Sequence, residues 1–234
     1  MNMKPLQTFL AALLLTSVAA QGGLYTRYSG SDPLVGNNIN IGITDGNPTG
    51  ISDVIHVSGV ASVIESVSVL INVTGGFNGD LYAYLSYNGV LVPLLNRVGT
   101  GTGDAVQMLF GYATAGFNNV RLSDAGSLNI HGVATPSSSP TTYLPDGASS
   151  LSSITGNPNG DWTIFFSDMA GGGGTPPSTL VSWSLDITAV PEPANVALGI
   201  FGGVFALIVT FRSARVRALL RGWQVAASRW VDAV

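Results

Sequence analysis

The feature that most constrains the fold is a series of short segments in which apolar and polar residues alternate. Successive residues of a strand point to opposite faces, so such a segment is a β-strand with one buried face. Ser66–Val73 and Leu81–Tyr87 alternate in this way, and Asn88-Gly89 then predicts a hairpin turn before a returning strand, Val90–Leu95. The residues predicted to face inward on the first two strands are Val67, Val69, Ile71, Val73, Leu81, Ala83, Leu85 and Tyr87.

The same pattern continues towards the C-terminus. Val106–Phe110, Trp162–Asp168 and Leu180–Ile187 are predicted strands, and the Gly- and Asn-rich segment Gln21–Gly50 is expected to add one or two more. Short strands with frequent turn residues and no helical period between Val57 and Ala189 predict an all-β fold, a β-sandwich or jelly roll rather than a parallel sheet. The residues predicted to face inward on the last two strands are Trp162, Ile164, Phe166, Val181, Trp183, Leu185 and Ile187.

Residues 1–20 have the pattern of a secretory signal peptide. Lys4 supplies a positive charge, Phe9–Val18 supplies an apolar stretch of about ten residues, and Val18-Ala19-Ala20 has the small residues of a cleavage site. The apolar stretch is too short to cross a bilayer. We expect export through the Sec translocon and a mature chain that begins near Gln21.

Residues 190–217 indicate a membrane anchor. Pro191 and Pro193, on either side of Glu192, exclude a helix or a central strand and leave the chain extended and accessible. The uncharged run Ala194–Phe211 that follows has 18 residues, enough to cross a bilayer as a helix.

Basic residues after the span set its orientation. Arg212, Arg215 and Arg217 favour the cytoplasmic face, which leaves residues 218–234 as a basic cytoplasmic tail and the preceding chain outside. The Pro-Glu-Pro motif, the span and the arginines together resemble the PEP-CTERM sorting signal of Gram-negative-type bacteria. That resemblance implies recognition of Pro191, Glu192 and Pro193 by an exosortase. An ordinary tail anchor behind a proline linker is the alternative interpretation.

The segment between the signal peptide and the anchor is acidic. Gln21–Ala189 contains eleven Asp and Glu against three Arg, a net charge of −8 with His neutral. This charge argues against nucleic acid as a partner, because the phosphate backbone requires basic contacts. The chain has no cysteine, although an exported protein is able to form disulfides, so stability is expected to come from packing.

Two clusters of residues resemble the P domain, or Homo B domain, found beside the catalytic domain of subtilisin-like proprotein convertases. The first is Val67–Leu95, with its Asp80-Leu81 step and its Asn-Gly turn. The second comprises Gly160–Asp168, a Gly-x-Trp strand that ends in Asp, and Leu180–Leu185, a Leu-x-x-Trp-x-Leu strand. The resemblance covers roughly residues 51–189 and implies a β jelly roll that stabilises or regulates a neighbouring protease.

Several side chains are candidates for binding. The resemblance places aspartates at the strand-end positions of Asp80 and Asp168, where such residues usually accept hydrogen bonds from turn amides and in some members help to hold calcium. The candidate ligands of a calcium ion are Asp80, Asp161 and Asp168. Tyr82 and Tyr84 share the outward face of their strand and are candidates for stacking on a sugar, although cross-strand packing is the alternative.

Catalysis is not expected. His56 and His131 are the only histidines, and no Gly-x-Ser-x-Gly nucleophile motif accompanies them. We therefore expect a non-catalytic, surface-anchored bacterial protein with a structural or interaction role in the envelope or an exopolysaccharide matrix. A carbohydrate- or protein-binding adhesin module is one alternative, an accessory domain of a secreted subtilisin-like serine peptidase is a second, and an enzyme is a third.

Overall fold

The computed structural model describes residues 23–30, 36–60, 62–136, 141–191 and 199–212. The signal peptide, Glu192, Pro193, Arg215, Arg217 and the basic tail lie outside these residues. The chain divides into two units, of which the β unit, Gly22–Val190, contains all the strands described below.

Eleven strands account for most of the described part of the β unit, which confirms the predicted mostly-β fold. They are β1 (Gly23–Tyr28), β2 (Ile41–Gly42), β3 (Ile51–Val57), β4 (Val63–Thr74), β5 (Leu81–Tyr87), β6 (Val90–Asn96), β7 (Phe117–Ser123), β8 (Leu128–Asn129), β9 (Thr142–Leu144), β10 (Gly160–Asp168) and β11 (Thr179–Val190). One α-helix, α1 (Ala105–Phe110), and three 3-10 turns, Asn78–Asp80, Ile130–Gly132 and Leu151–Ser153, connect them.

The strands form two sheets. The larger has the order β1-β11-β4-β7-β9-β8, with β2 also paired to β11, and the smaller has the order β3-β10-β5-β6. Pairing is antiparallel except where β9 runs parallel to β7 and β8. The jelly-roll connectivity, in which all pairing would be antiparallel, stays a prediction.

The alternation predicted from the sequence matches the buried faces. The predicted inward residues of β4, β5 and β10 are all buried, and they belong to one apolar cluster shared by both sheets. Asn88 and Gly89 both have positive φ in the turn between β5 and β6, as predicted. The prediction fails at Val181, which is half-buried while Leu180 is fully buried. The pairing of β11 with β4 shifts register between Leu180 and Ser182, and this shift changes which residue faces the core.

The predicted strand Val106–Phe110 is wrong, because these residues lie in helix α1. The Asp104 carboxylate accepts hydrogen bonds of 3.0 Å from the amides of both Val106 and Gln107, which caps the first turn. Gly111 follows the helix with φ +71°, a conformation that terminates it without strain. These caps outweigh the strand preference of a short apolar run.

Two buried tryptophans pack between the sheets, as predicted. Trp162 of β10 stacks on Tyr87 at a centroid distance of 3.9 Å and donates its indole N–H to the Pro158 carbonyl at 2.9 Å. Trp183 of β11, in the larger sheet, donates its indole N–H to Asp53 of β3, in the smaller sheet, at 2.7 Å. The second bond therefore joins the two sheets directly.

Residues 199–212 belong to the second unit and are helical. They include Arg212 and most of the predicted span 194–211, and residues 194–198 lie outside the described part of the chain. Among the residues described, no helix combines the length and the apolarity needed to cross a membrane. The exposed large apolar residues of this segment are Ile200, Phe201, Val204, Phe205, Ile208, Val209 and Phe211.

Trp183→Phe is expected to lower the free energy of unfolding of the full-length chain by about 2–3 kcal/mol, because the Asp53 carboxylate loses its indole donor and the core loses volume. Asp53→Asn is the matched control, since its side-chain oxygen still accepts the bond, and its expected loss is below about 1 kcal/mol. Urea unfolding followed by fluorescence measures both. Equal losses in the two variants would contradict the assigned role of the bond.

Candidate functional site

The structure brings together two of the three predicted calcium ligands and separates the third. Asp168 ends β10 beside the start of β5, directly after Asp80, and the Met169 amide donates to the Asp80 carbonyl at 2.7 Å. Asp161 lies at the opposite end of β10, about 23 Å away at the usual rise of a strand. It instead contacts His56 at 2.7 Å on the surface. Asp161 is therefore too distant to bind an ion held by Asp80 and Asp168.

A third carboxylate, which the sequence did not identify, joins this end of the sandwich. Asp45 accepts hydrogen bonds from the amides of Gly172 at 3.0 Å and Gly173 at 3.2 Å. Asp168 accepts from Gly46 at 3.3 Å and Ala170 at 3.2 Å. These bonds tie the loop after β2 to the loop between β10 and β11. No group of three or more His, Cys, Asp or Glu side chains among the described residues is arranged to hold a metal ion.

Asp80 differs from its two neighbours because no residue in the described part of the chain donates to its carboxylate. The residue is only 4% exposed. Within the described part of the chain, its side chain accepts no hydrogen bond and makes no ion pair. The positive charge of Arg97 acts to lower the pKa of Asp80. The Arg97 guanidinium nevertheless donates to the carbonyl oxygens of Gly79 and Leu109, each at 3.2 Å.

This environment shifts the protonation of both buried carboxyls. Burial, the charge of Asp168 and, more weakly, that of Asp45 raise the pKa of Asp80 to about 6, against an opposing effect of Arg97. Burial also raises the pKa of Asp168, and the amide bonds from Ala170 and Gly46 oppose this shift. Functional sites often contain a carboxyl group that is buried without an opposite charge paired to it.

Asp80 lies in a cleft of about 230 Å³, which we call the Asp80 cleft. Its other walls include the aromatic residues Phe77, Phe110 and Tyr112 and the backbone of Gly173. A Cβ atom built on Gly173 would lie 2.5 Å from Oδ2 of Asp80, so a side chain at this position would fill the space in front of the carboxylate. The cleft therefore combines one acidic group with aromatic walls.

Helix α1 presents apolar side chains beside the cleft, and two of its residues, Val106 and Phe110, line it. Leu109 is 65% exposed, and the helix has no buried residue. The exposed large apolar residues of the helix are Val106, Met108, Leu109 and Phe110. At 100° per residue, Val106, Leu109 and Phe110 share one side, which we call the α1 face, and Met108 lies opposite. Exposed apolar side chains that are clustered in this way typically mark an interaction site.

The two histidines are both paired with carboxylates. Nδ1 of His131 lies 2.7 Å from Asp146 and its Nε2 lies 2.8 Å from the Thr100 carbonyl oxygen, so both ring nitrogens face acceptors. Burial would lower the pKa of His131, but these two hydrogen bonds and the charge of Asp146 raise it overall. The ring donates from both nitrogens only when it is protonated, and the protonated ring has no nitrogen available to take a proton from a nucleophile.

The candidate sugar-stacking residues lie on the outer face of the smaller sheet. Tyr84 stacks on Phe165 of β10 with a centroid distance of 4.8 Å and an interplanar angle of 16°, and Tyr82 meets Tyr84 edge-on at 6.2 Å. Pro93 is the register partner of Tyr84 on its other side. Phe165 covers one face of the Tyr84 ring, and this geometry favours the cross-strand packing interpretation.

Sequence reasoning missed Asp45, Arg97 and the α1 face. Asp45-Gly46 has the form of a turn, but it falls in a segment interpreted only as a lead-in to the sandwich. For α1, the signals were Asp104 immediately before the apolar run and Gly111 immediately after it, the usual residues for the start and end of a helix.

Comparison with known proteins gives a limited result. No family model matches the chain, and no curated protein matches it. The chain is similar to a solved structure of the Aeromonas sobria serine protease in complex with the chaperone ORF2, at 17% identity and a TM-score of 0.42, over 76% of this chain and 29% of that chain. A structure of the Aeromonas sobria serine protease gives 16% identity and a TM-score of 0.39, over 75% of this chain and 29% of that chain. The chain thus spans less than a third of the proteins it matches, and scores of this size assign neither a family nor a function.

Asp80→Asn is expected to stabilise the protein at pH 7 by about 1–3 kcal/mol, which corresponds to the raised pKa of Asp80. A folded-state pKa above the unfolded value means that the folded protein binds the extra proton. Wild-type stability therefore falls as the pH rises from about 4 through 6. The variant lacks this loss, so the difference should be near zero at pH 4 and full at pH 7.

The control for this experiment is Asp161→Asn, which removes the same charge from an exposed side chain at the far end of β10. Urea unfolding across the pH range measures both variants. A stability difference for Asp80→Asn that does not change between pH 4 and pH 7 would show that the buried charge is not its cause.

Proposed function

We propose that this chain is an exported, membrane-anchored bacterial protein whose β-sandwich is a non-catalytic protein-binding module. We further propose that it acts as an accessory domain for a secreted, subtilisin-like serine peptidase. The observation that carries the proposal is the α1 face beside the Asp80 cleft. Four large apolar side chains exposed on one short helix are costly in water, and burial against a partner removes that cost.

The choice of a serine peptidase rests on the motifs that resemble a P domain. Gly160–Asp168 and Leu180–Leu185, which carry the resemblance, lie on β10 and β11. Each of these strands is paired on both sides within its own sheet. The motif residues therefore define the body of the sandwich, and the resemblance implies a domain that stabilises or regulates a protease.

A binding role is favoured over an enzymatic one by the geometry of the histidines. Both ring nitrogens of His131 face acceptors, and His56 is an exposed side chain paired only with Asp161. Neither histidine has the arrangement of a general base directed at a nucleophile.

A carbohydrate-binding role has less support. Sugar recognition by aromatic residues requires an exposed ring face, and Phe165 covers one face of Tyr84. The resemblance to a sorting signal also led us to expect a structural role in an exopolysaccharide matrix. That role is compatible with protein binding, because both require delivery of the domain to the cell surface.

The termini supply the proposed location. The signal peptide would direct the chain through the Sec translocon, and Pro191, Glu192 and Pro193 would be recognised by an exosortase before or during anchoring of the segment 194–211. Arg212, Arg215 and Arg217 would stay on the cytoplasmic side. Each of these statements rests on the sequence patterns.

Mass spectrometry of the protein isolated from its own cells tests this location. We expect an N-terminus at or near Gln21, because cleavage after Ala20 follows the signal-peptide pattern. Exosortase processing would also leave a C-terminus near Pro193, whereas a simple tail anchor would retain Val234. A retained Met1 would contradict export through a cleaved signal peptide.

Leu109→Ser tests the binding role. The full-length protein and its variant are produced in the native cells, cross-linked at the surface and purified, and the secreted peptidases that co-purify are quantified. We expect at least a tenfold loss of the cross-linked peptidase, because the replacement removes an apolar contact of the size that dominates interfaces. Leu24→Ser is the matched control, since Leu24 on β1 is 67% exposed and Leu109 is 65% exposed.

The expected control result is unchanged cross-linking, together with an unchanged unfolding midpoint for both variants. Equal recovery of the peptidase with Leu109→Ser, or no peptidase with the wild-type protein, would refute the accessory role.

A further inference from the structure

We infer that the Asp80 cleft receives a basic side chain, lysine or arginine, from the protein that binds the α1 face. The inference rests on the proposed protein-binding function. It specifies the part of the partner that binds, an apolar segment that carries a basic side chain. Asp80 is the one residue of the cleft that the sequence analysis named as a candidate for binding.

The first support is the isolation of the Asp80 carboxylate. The residue is 96% buried, and its side chain has no hydrogen-bond donor and no ion-pair partner within the described part of the chain. Buried carboxylates normally have such partners, since leaving the group without them is unfavourable. Asp45 and Asp168 at the same end of the sandwich have theirs, from backbone amides. The Asp80 oxygens keep a small contact with solvent, so a donor from outside the described residues is able to reach them.

The second support is the shape of the cleft. Its volume of about 230 Å³ is smaller than the roughly 300–1,000 Å³ of pockets that enclose a whole small-molecule ligand, and it suits a single side chain. Gly173 lets the loop backbone approach the carboxylate without a clash, because a Cβ there would lie 2.5 Å from Oδ2. Asp80 and Gly173 both line the cleft, so the carboxylate and the loop form adjoining parts of its wall.

The third support is the chemistry of the walls. Phe77, Phe110 and Tyr112 line the same cleft as the acidic group. Lysine and arginine have apolar stems and charged ends, so they pack along apolar walls while the charge reaches a carboxylate. Aromatic faces also attract a cation. A neutral or acidic side chain would gain neither the attraction of opposite charges at the Asp80 carboxylate nor the cation–π attraction of the aromatic walls.

A metal ion fits the cleft less well. Calcium takes six to eight oxygen ligands. Both carboxylate oxygens of Asp45 already accept amides, and one oxygen of Asp168 accepts two. The lone carboxylate of Asp80 matches instead the one or two charge-assisted hydrogen bonds that an ammonium or guanidinium group donates.

Long-range charge favours the same partner. Gln21–Ala189 carries eleven acidic residues against three arginines, so a basic segment is attracted before contact. Of those arginines, Arg121 pairs with Asp186, while Arg27 and Arg97 donate to carbonyl oxygens and to no carboxylate. Within the described residues, the protein's own cations thus leave Asp80 unpaired.

The test is selection of peptides from a random display library on the full-length chain in detergent. Binding of the selected synthetic peptides is then measured with four proteins: wild type, Asp80→Asn, Asp161→Asn and Leu109→Ser. We expect selected peptides to carry a lysine or arginine flanked by apolar residues. Asp80→Asn should weaken their binding at least tenfold. Replacement of the basic residue by norleucine should weaken binding at least tenfold in wild type and much less in Asp80→Asn, where only the attraction of the aromatic walls for the cation is lost.

Asp161→Asn removes the same charge from the other end of β10 and should change binding less than twofold. A loss as large as that of Asp80→Asn would show that only net charge is recognised, and would overturn the inference. Calcium chloride that displaces the peptides at an ionic strength where sodium chloride does not would also overturn it, by assigning the cleft to an ion.

Two further outcomes separate this inference from the proposed function. Peptides that depend on Leu109 but contain no basic residue would overturn the inference and leave the protein-binding role intact. Peptides that bind only after the five arginines beyond residue 211 are replaced would identify this chain's own tail as the occupant, and so overturn a partner-derived cation. If no peptide is selected under either condition, both the inference and the binding role of the α1 face fail.

Discussion

The connection from β10 to β11 is the constraint on which the rest of the structure depends. The two strands follow each other in the chain but belong to different sheets, so residues 169–178 must cross one end of the sandwich. β11 pairs with β1 and β2 on one side and with β4 on the other. Trp183 then bonds to Asp53 across the layers. These contacts fix the position of the crossing loop at the end of the sandwich, beside Asp45, Asp80 and Asp168.

The alternating strands were predictable because one buried face imposes a period of two on the sequence. That period placed Trp162 and Trp183 in the core, and Asn88-Gly89 located the hairpin. It could not locate the bulge beside Val181, since a bulge changes the facing of one residue without changing the apolar composition. It also gave the wrong structure for Val106–Phe110, where two capping residues decided the outcome.

The candidate site was only half predictable, for a different reason. Asp80 and Asp168 are neighbours through strand pairing, and the P-domain resemblance named both. Asp45 joins them through a contact over more than 120 residues of chain, which no local pattern encodes. Asp161 was included as a candidate ligand, although the length of β10 separates it from Asp168. The absence of a partner for Asp80 appears only when every neighbouring donor has been assigned.

A raised carboxyl pKa is equally expected of a catalytic acid and of a docking group, so the surroundings of Asp80 must decide between them. A catalytic carboxyl works with a second group that exchanges protons or attacks the substrate. Asp45 and Asp168 are held by backbone amides, and His131 is held at both nitrogens. What adjoins Asp80 instead is an aromatic wall and an exposed apolar helix. Among the described residues, these surroundings favour the proposed binding of a cation over proton transfer. A partner that pairs with Asp80 would convert an unfavourable buried charge into part of the interface.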